Sequence, residues 1–174
     1  MQYKRVEMEW AGRTLTIETG RLAKQAAGSA LVQYGDTIVL AAVTHTKEPV
    51  DRSWLPLFCE YREKFYAAGK IPGGFFKREG RPQTKEILSA RLIDRPIRPL
   101  LPSHMRNEVQ VYANVLSADG ENDSDILAVI ASSAALALSP VPFDGPIGAV
   151  RMGLRDGQLV VNPTFDQLEE SSLN

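Results

Sequence analysis

The sequence predicts an α+β domain, a mostly antiparallel sheet with helices packed against it, on three observations. Short runs in the first half alternate polar and apolar residues and are separated by turn residues. The second half interleaves helical patterns with further strand-like runs. No internal repeat, low-complexity tract or interdomain linker divides the 174 residues. Strands first, then helices between strands, belong to that class.

Each element follows in order. Arg13 to Glu18 (RTLTIE) alternates as a half-buried strand does. Ala30 to Gln33 and Thr37 to Val43 flank Tyr34-Gly35-Asp36, a hairpin signal in which glycine supplies a positive φ. Leu55 to Tyr66 is the next strand candidate. Gly69 to Pro82 holds four glycines and two prolines in 14 residues, which demands a loop. A helix starts near Thr84 and is expected to stop at Asp94 or Arg95, because Pro96 removes an amide donor and disfavours helical geometry before it. Glu108 to Leu116 alternates as a strand. Asp123 or Ser124 caps a second helix, Ile126 to Leu138, whose many alanines and serines allow it to lie flat against a sheet. Ile147 to Arg155 and Gln158 to Val161 form a hairpin across Asp156-Gly157, and Phe165 to Glu170 reads as a short polar helix.

Composition bounds the function. The chain is 44% hydrophobic and 24% charged, as a soluble globular protein is. A single cysteine, Cys59, excludes an internal disulfide framework and fits a reducing compartment; its place in LPLFCEY makes it a small core residue. No secretory leader pattern opens the sequence, and the 13-residue apolar run Ile126 to Leu138 is too short to span a bilayer. The expectation is a cytoplasmic protein with no membrane partner. Net charge is −1, yet between Arg62 and Arg106 there are 11 Lys/Arg against 4 Asp/Glu, so that segment is strongly basic and the remainder acidic. Charge segregated in this way predicts one basic surface on a neutral body. Dispersal of those charges in the fold is the plainer alternative.

The loop carries the sharpest signal. Phe75 and Phe76 follow Gly73-Gly74 and precede Lys77 and Arg78. Two flat apolar faces beside two cations suit single-stranded nucleic acid, because bases stack on rings and phosphates pair with cations without base preference. Plugging a hydrophobic gap would be the alternative, but consecutive side chains point in different directions. Arg91 and Arg95 share a helix face, and Arg98 follows on a rigid Pro-Ile-Arg-Pro segment. Guanidinium groups suit bidentate phosphate contact; internal pairing competes, since Asp94 can reach Arg98.

Catalytic chemistry is mostly missing. His45 and His104 lie near no serine or cysteine motif and at no metal-ligand spacing. Asp119, Glu121, Asp123 and Asp125 could attract Mg²⁺, but a turn and helix cap explain them without calcium-loop spacing. No GxxxxGK[ST] phosphate loop is present. No residue is therefore assigned as catalytic or as a metal ligand.

GKIPGGFFKREGRPQTKEILSARLIDRPIRPL closely resembles the signature region of the bacterial-type polynucleotide phosphorylase family, in its first RNase PH-like core domain. AAVTHTKEP, NEVQVYANVLSADGENDSDILAVIASSAALALS, PFDGPIGAVRMG and VVNPT resemble the same domain in the same order. The resemblance implies a trimeric 3′→5′ exoribonuclease that uses inorganic phosphate as co-substrate to release nucleoside diphosphates, and that extends RNA in reverse. It implies RNA-contacting roles for Phe75, Phe76, Lys77 and Arg78 at a channel constriction, and less definite roles in RNA binding or ring contacts for Arg81, Arg91, Arg95 and Arg98. Lys77 stands where the family commonly has arginine, which keeps the charge and loses the planar fork.

It also implies partners: single-stranded RNA, two further copies in a homotrimer, a second RNase PH-like domain, KH and OB-type modules of the same polypeptide, and an RNA-degradation complex. Mg²⁺ would serve the full-length enzyme, with ligands outside this chain, because the family's phosphorolytic centre lies mainly in the second core domain. Residues 1–174 are accordingly expected to form the first core domain, truncated on its C-terminal side and inactive alone. Two other readings stand beside this one. A purely structural ring module would use the basic residues for subunit contacts. A self-sufficient enzyme of the shorter RNase PH type would need metal-binding aspartates that the sequence after Asp156 does not supply beyond Asp166.

Overall fold

A computed structural model describes residues 2–173. Two tight hairpins and one crossover build its main sheet. β1 (Lys4–Trp10) turns into β2 (Arg13–Thr19) through Ala11 and Gly12, both at positive φ (50° and 76°). That geometry matches the right-handed twist of the paired strands. β3 (Gly28–Tyr34) turns into β4 (Thr37–His45) at Gly35, φ 60°, as the sequence predicts. β5 (Leu57–Glu63) leads through a long loop and α1 (Thr84–Ile97) to β6 (Val109–Ser117). A crossover of that length lets β5 and β6 run parallel, while every other neighbour in the order β1-β2-β3-β4-β6-β5 is antiparallel. α2 (Ser124–Ala137), the hairpin β7 (Met152–Arg155) with β8 (Gln158–Val161), and α3 (Phe165–Glu169) complete the described residues.

Alternation puts one face of the sheet into the core. Val39, Ala41 and Val43 of β4 and Val111, Ala113 and Val115 of β6 are all buried with Leu127, Ala128, Ala131 and Ala135 of α2. α2 is buried on most sides, and its closeness to the sheet shows at Gly28. A Cβ there would lie 2.2 Å from the carbonyl oxygen of Ala135, so only glycine fits. The α+β class and the helix-on-sheet arrangement are as predicted.

Three local expectations change. β1 is a strand that the sequence does not signal, because it is exposed along nearly its whole length and shows no buried face. The strand expected over Leu55–Tyr66 is shorter: after Glu63 the chain makes a 3₁₀ turn, Phe65–Ala68, closed by Gly69 in the left-handed region. Of the strand expected over Ile147–Arg155, only Met152–Arg155 pairs.

Pro96 does not end α1, which continues to Ile97. Proline in the last turn withholds a single amide, and the Arg98 N–H closes the turn on the Asp94 carbonyl. Ile93 and Ile97 are both fully buried, and burying an isoleucine stabilises by about 1.5–3 kcal/mol. Packing therefore carries the helix past its breaker.

Candidate nucleic-acid interface

The loop of residues 70–83 leaves the 3₁₀ turn after β5 and returns into α1 at Gln83, whose amide donates to Glu86 Oε2 at 2.6 Å. At its tip, Gly74 (φ 73°) and Lys77 (φ 48°) both sit in the left-handed region and bracket the aromatic pair. Two such residues on either side of Phe75-Phe76 turn the chain sharply and push the rings outward. Phe75 is 94% and Phe76 80% exposed, with ring centroids 5.5 Å apart and planes at 84°. Each ring thus offers a separate stacking surface. Ile71, 89% exposed, adds apolar area with no mark in the sequence, because a single apolar residue beside proline gives no periodic signal. Lys77, Arg78 and Arg81 are exposed around the pair.

Arg91 and Arg95 lie one turn apart on the outer face of α1, both exposed. They border an open groove of about 430 Å³ between α1 and the free edge of β5, with Phe58, Glu60 and Ile87 on its walls. Arg95 also approaches Asp94 at 3.7 Å. Arg98 is different. It donates to both carboxylate oxygens of Asp94 (3.0 and 2.5 Å) and to the carbonyls of Leu55 and Leu57 (3.0 and 3.1 Å). The hydrogen bond to Asp94 raises its pKa, so it is a fixed cation holding the end of α1 to the start of β5. The structure brings Phe75, Phe76, Lys77, Arg78 and Arg81 together on one loop, and Arg91 and Arg95 on one helix face.

The acidic turn serves the fold. Asp119 accepts from the amides of Glu121 and Asn122, each at 2.8 Å, and from the Asn122 side chain at 2.6 Å. Burial acts to raise its pKa, but these hydrogen bonds outweigh burial and lower it. Asp123 caps α2 by accepting from the Asp125 amide. Arg151 pairs with Asp123 at 3.2 Å and Asp125 at 2.7 Å, and Lys85 lies 3.5 Å from Asp123. Among the described residues no group of three His, Cys, Asp or Glu side chains is arranged to hold a metal ion. Carboxylates already engaged by arginine and backbone amides do not fit Mg²⁺. Cys59 lies in β5, where burial, helped by Asp94 and opposed by Arg98, pushes its thiol up to about 12. It is protonated at neutral pH and no nucleophile. No helix among the described residues is long and apolar enough to cross a membrane.

Comparison with known proteins agrees with the fold and the motifs. The family model described as 3′ exoribonuclease family, domain 1, matches residues 11–142, and that of domain 2 matches residues 145–174. The chain is 59% identical over 170 residues to a polyribonucleotide nucleotidyltransferase of Hyphomonas neptunium, covering 97% of this chain and 24% of that protein. Against the same-named protein of Halalkalibacterium halodurans it is 58% identical over 167 residues, covering 96% and 24%. It thus spans about a quarter of the length of the curated relatives it matches. The crystal structure of rice (Oryza sativa) Rrp46 superposes with a TM-score of 0.71 at 19% identity, covering 90% of this chain and 71% of that one, a likeness of fold. Sheet order, helix placement and a model match over most of its length together make this chain a member of the 3′ exoribonuclease family of RNase PH-type domains.

Proposed function

We propose that residues 1–174 are the first core domain, the RNA-guiding and ring-forming part, of a polyribonucleotide nucleotidyltransferase, a phosphate-dependent 3′→5′ exoribonuclease. The observation that carries this reading is the exposure of Phe75 (94%) and Phe76 (80%) beside Lys77 and Arg78 on one loop. Exposed paired aromatics serve no core. Bases of single-stranded RNA stack on the two rings, worth about 1–3 kcal/mol each, while Lys77, Arg78 and Arg81 neutralise phosphates. Arg91 and Arg95 extend the cationic surface along α1.

In the whole protein, inorganic phosphate attacks the terminal linkage and releases a nucleoside diphosphate; the reverse reaction lengthens RNA. Developing charge on the transferring phosphoryl group needs cationic stabilisation, which the second core domain and its Mg²⁺ would supply. This chain's residues bind and orient the strand. On this reading the protein is a cytoplasmic homotrimer, joined to a second RNase PH-like domain, KH and OB-type modules and an RNA-degradation complex. The chain alone cleaves no RNA.

A second reading, a non-catalytic ring module, would turn the exposed Arg91 and Arg95 to subunit contacts; Arg98 serves neither reading, because its donors go to Asp94 and two backbone carbonyls of its own chain. Binding of a fluorescent oligo(A) RNA as salt is varied separates the two. RNA guiding requires a salt slope of about −0.7 per phosphate contacted, and a loss of roughly 2 kcal/mol or more in Phe75→Ala/Phe76→Ala. Absent binding, or binding indifferent to that double substitution, supports the ring module. Phosphate-dependent diphosphate release by the chain alone would contradict both.

A further inference from the structure

Phe65, in the 3₁₀ turn, is the point where both limbs of the aromatic loop are tied. Its carbonyl accepts from the Lys70 amide on the outgoing limb at 3.0 Å, and its own amide donates to Glu79 Oε1 on the returning limb at 3.0 Å. Next to this, Arg62 Nη2 donates to the Gly80 carbonyl at 3.2 Å, and its Nε approaches Glu86 Oε1 at 3.7 Å. The tip, residues 71–78, is thereby closed as a short loop whose ends meet, rather than left to swing from Gly69 to Gln83. Compact loops with adjacent ends keep a defined shape at the protein surface.

Glu79 is the only acid between Glu63 and Glu86, set among Lys77, Arg78 and Arg81. For a surface meant to hold a polyanion, a carboxylate there is unfavourable in charge alone. It is half-buried, while residues 73–78 before it are exposed.

We propose that Glu79 is a positioning residue for RNA: its carboxylate, on the Phe65 amide, fixes the angle at which Phe75 and Phe76 present their rings. This rests on the RNA-guiding reading of the loop and deepens it. Fixing the loop before binding removes an ordering cost that a mobile loop would meet each time a strand arrives. The gain outweighs the repulsion of one charge held against an amide rather than aimed at the strand.

The signs of the two effects differ, so substitutions separate them. Glu79→Gln removes the charge and keeps an oxygen acceptor within reach of the Phe65 amide. Glu79→Asp keeps the charge and draws the acceptor back by one methylene. Oligo(A) affinity is measured for the full chain and these variants at one salt concentration, with hydrogen exchange at the Phe65 amide. The expected result is that Glu79→Asp binds about fivefold more weakly, the equivalent of one lost hydrogen bond. Glu79→Gln should bind as tightly as the parent or tighter, and Glu79→Asp and Glu79→Ala, but not Glu79→Gln, should speed exchange at Phe65. Glu79→Ala should weaken binding as Glu79→Asp does, although it too removes the charge. An Asp or Ala variant that binds as well as the parent overturns the positioning role, whatever the exchange data show. A parent chain that binds no RNA overturns the RNA-guiding reading itself, and the positioning role with it.

Discussion

Arg98 reaches back one turn of α1 and grips both carboxylate oxygens of Asp94, at 3.0 and 2.5 Å. The same guanidinium donates to the carbonyls of Leu55 and Leu57, so one side chain joins the proline-bearing end of α1 to the beginning of β5. Asp94 is buried, and Arg98 is a third exposed.

Removing this joint takes both guanidinium bonds from a buried carboxylate and one donor each from two carbonyls, of which Leu55 keeps the Leu57 amide at 2.9 Å. Arg98→Ala should lower the unfolding free energy by about 2–3 kcal/mol, and Arg98→Lys by somewhat less, since ammonium lacks the planar fork. Urea titration followed by circular dichroism measures both. A change below about 0.5 kcal/mol for the alanine variant, the usual range of surface substitutions, would mean the joint is ornamental.

Phe75 and Phe76 give the opposite expectation. Both rings lie in solvent, so the double alanine variant should unfold within about 0.5 kcal/mol of the parent. A large loss of stability would mean that the rings are packed in solution, and the stacking surfaces would disappear with that result.

Tyr61 is 1% exposed, and its hydroxyl sits between Glu63 Oε1 and Ser124 Oγ, 2.6 Å from each. Tyr61→Phe should cost about 1–2 kcal/mol by leaving those partners unmatched. Burial, with the Glu63 hydrogen bond adding to it, pushes the phenol well above its ordinary value of 10.0. A group whose pKa is raised on folding contributes fully below its unfolded pKa. That stability is lost as pH rises above about 10, where the unfolded chain ionises and the folded one does not. Stability compared at about pH 9 and about pH 11 should fall more steeply in the parent than in Tyr61→Phe.

Cys59 tests burial at the same edge. A thiol held at about 12 should react with a thiol reagent at pH 8 at least ~100-fold more slowly than the same cysteine in urea. Its share of stability is present below its ordinary pKa of 9.0 and is lost as pH climbs from there toward about 12. Equal rates in native and unfolded protein would show that β5 opens freely.

Much of the architecture was readable from residue order. The β3–β4 hairpin was announced by Gly35-Asp36 between two alternating runs, the cap at Asp123 by an acidic turn before apolar residues, and the β7–β8 turn by Asp156-Gly157. These signals are local: a turn residue states its backbone geometry wherever it stands. β1 was silent because its partner, and no buried face, makes it a strand. The aromatic pair and its cations were legible, whereas the fastening of their loop by Phe65, Glu79 and Arg62 was not. Those residues are 14 and 18 positions from their partners, and no periodicity links them.

Sequence by itself determined the class of fold, the loop between Gly69 and Pro82, and the residues gathered at its tip, because propensity, turn chemistry and patterning act over a few neighbours. Tertiary structure alone decided that α1 runs through Pro96, that Arg98 is tied to the Leu55 and Leu57 carbonyls while Arg91 and Arg95 stay outside, and that the acidic turn is bound by Arg151. In each case burial and long-range hydrogen bonds, worth one to a few kcal/mol, outweigh local preferences of similar or smaller size. Such terms exist only once distant residues have met.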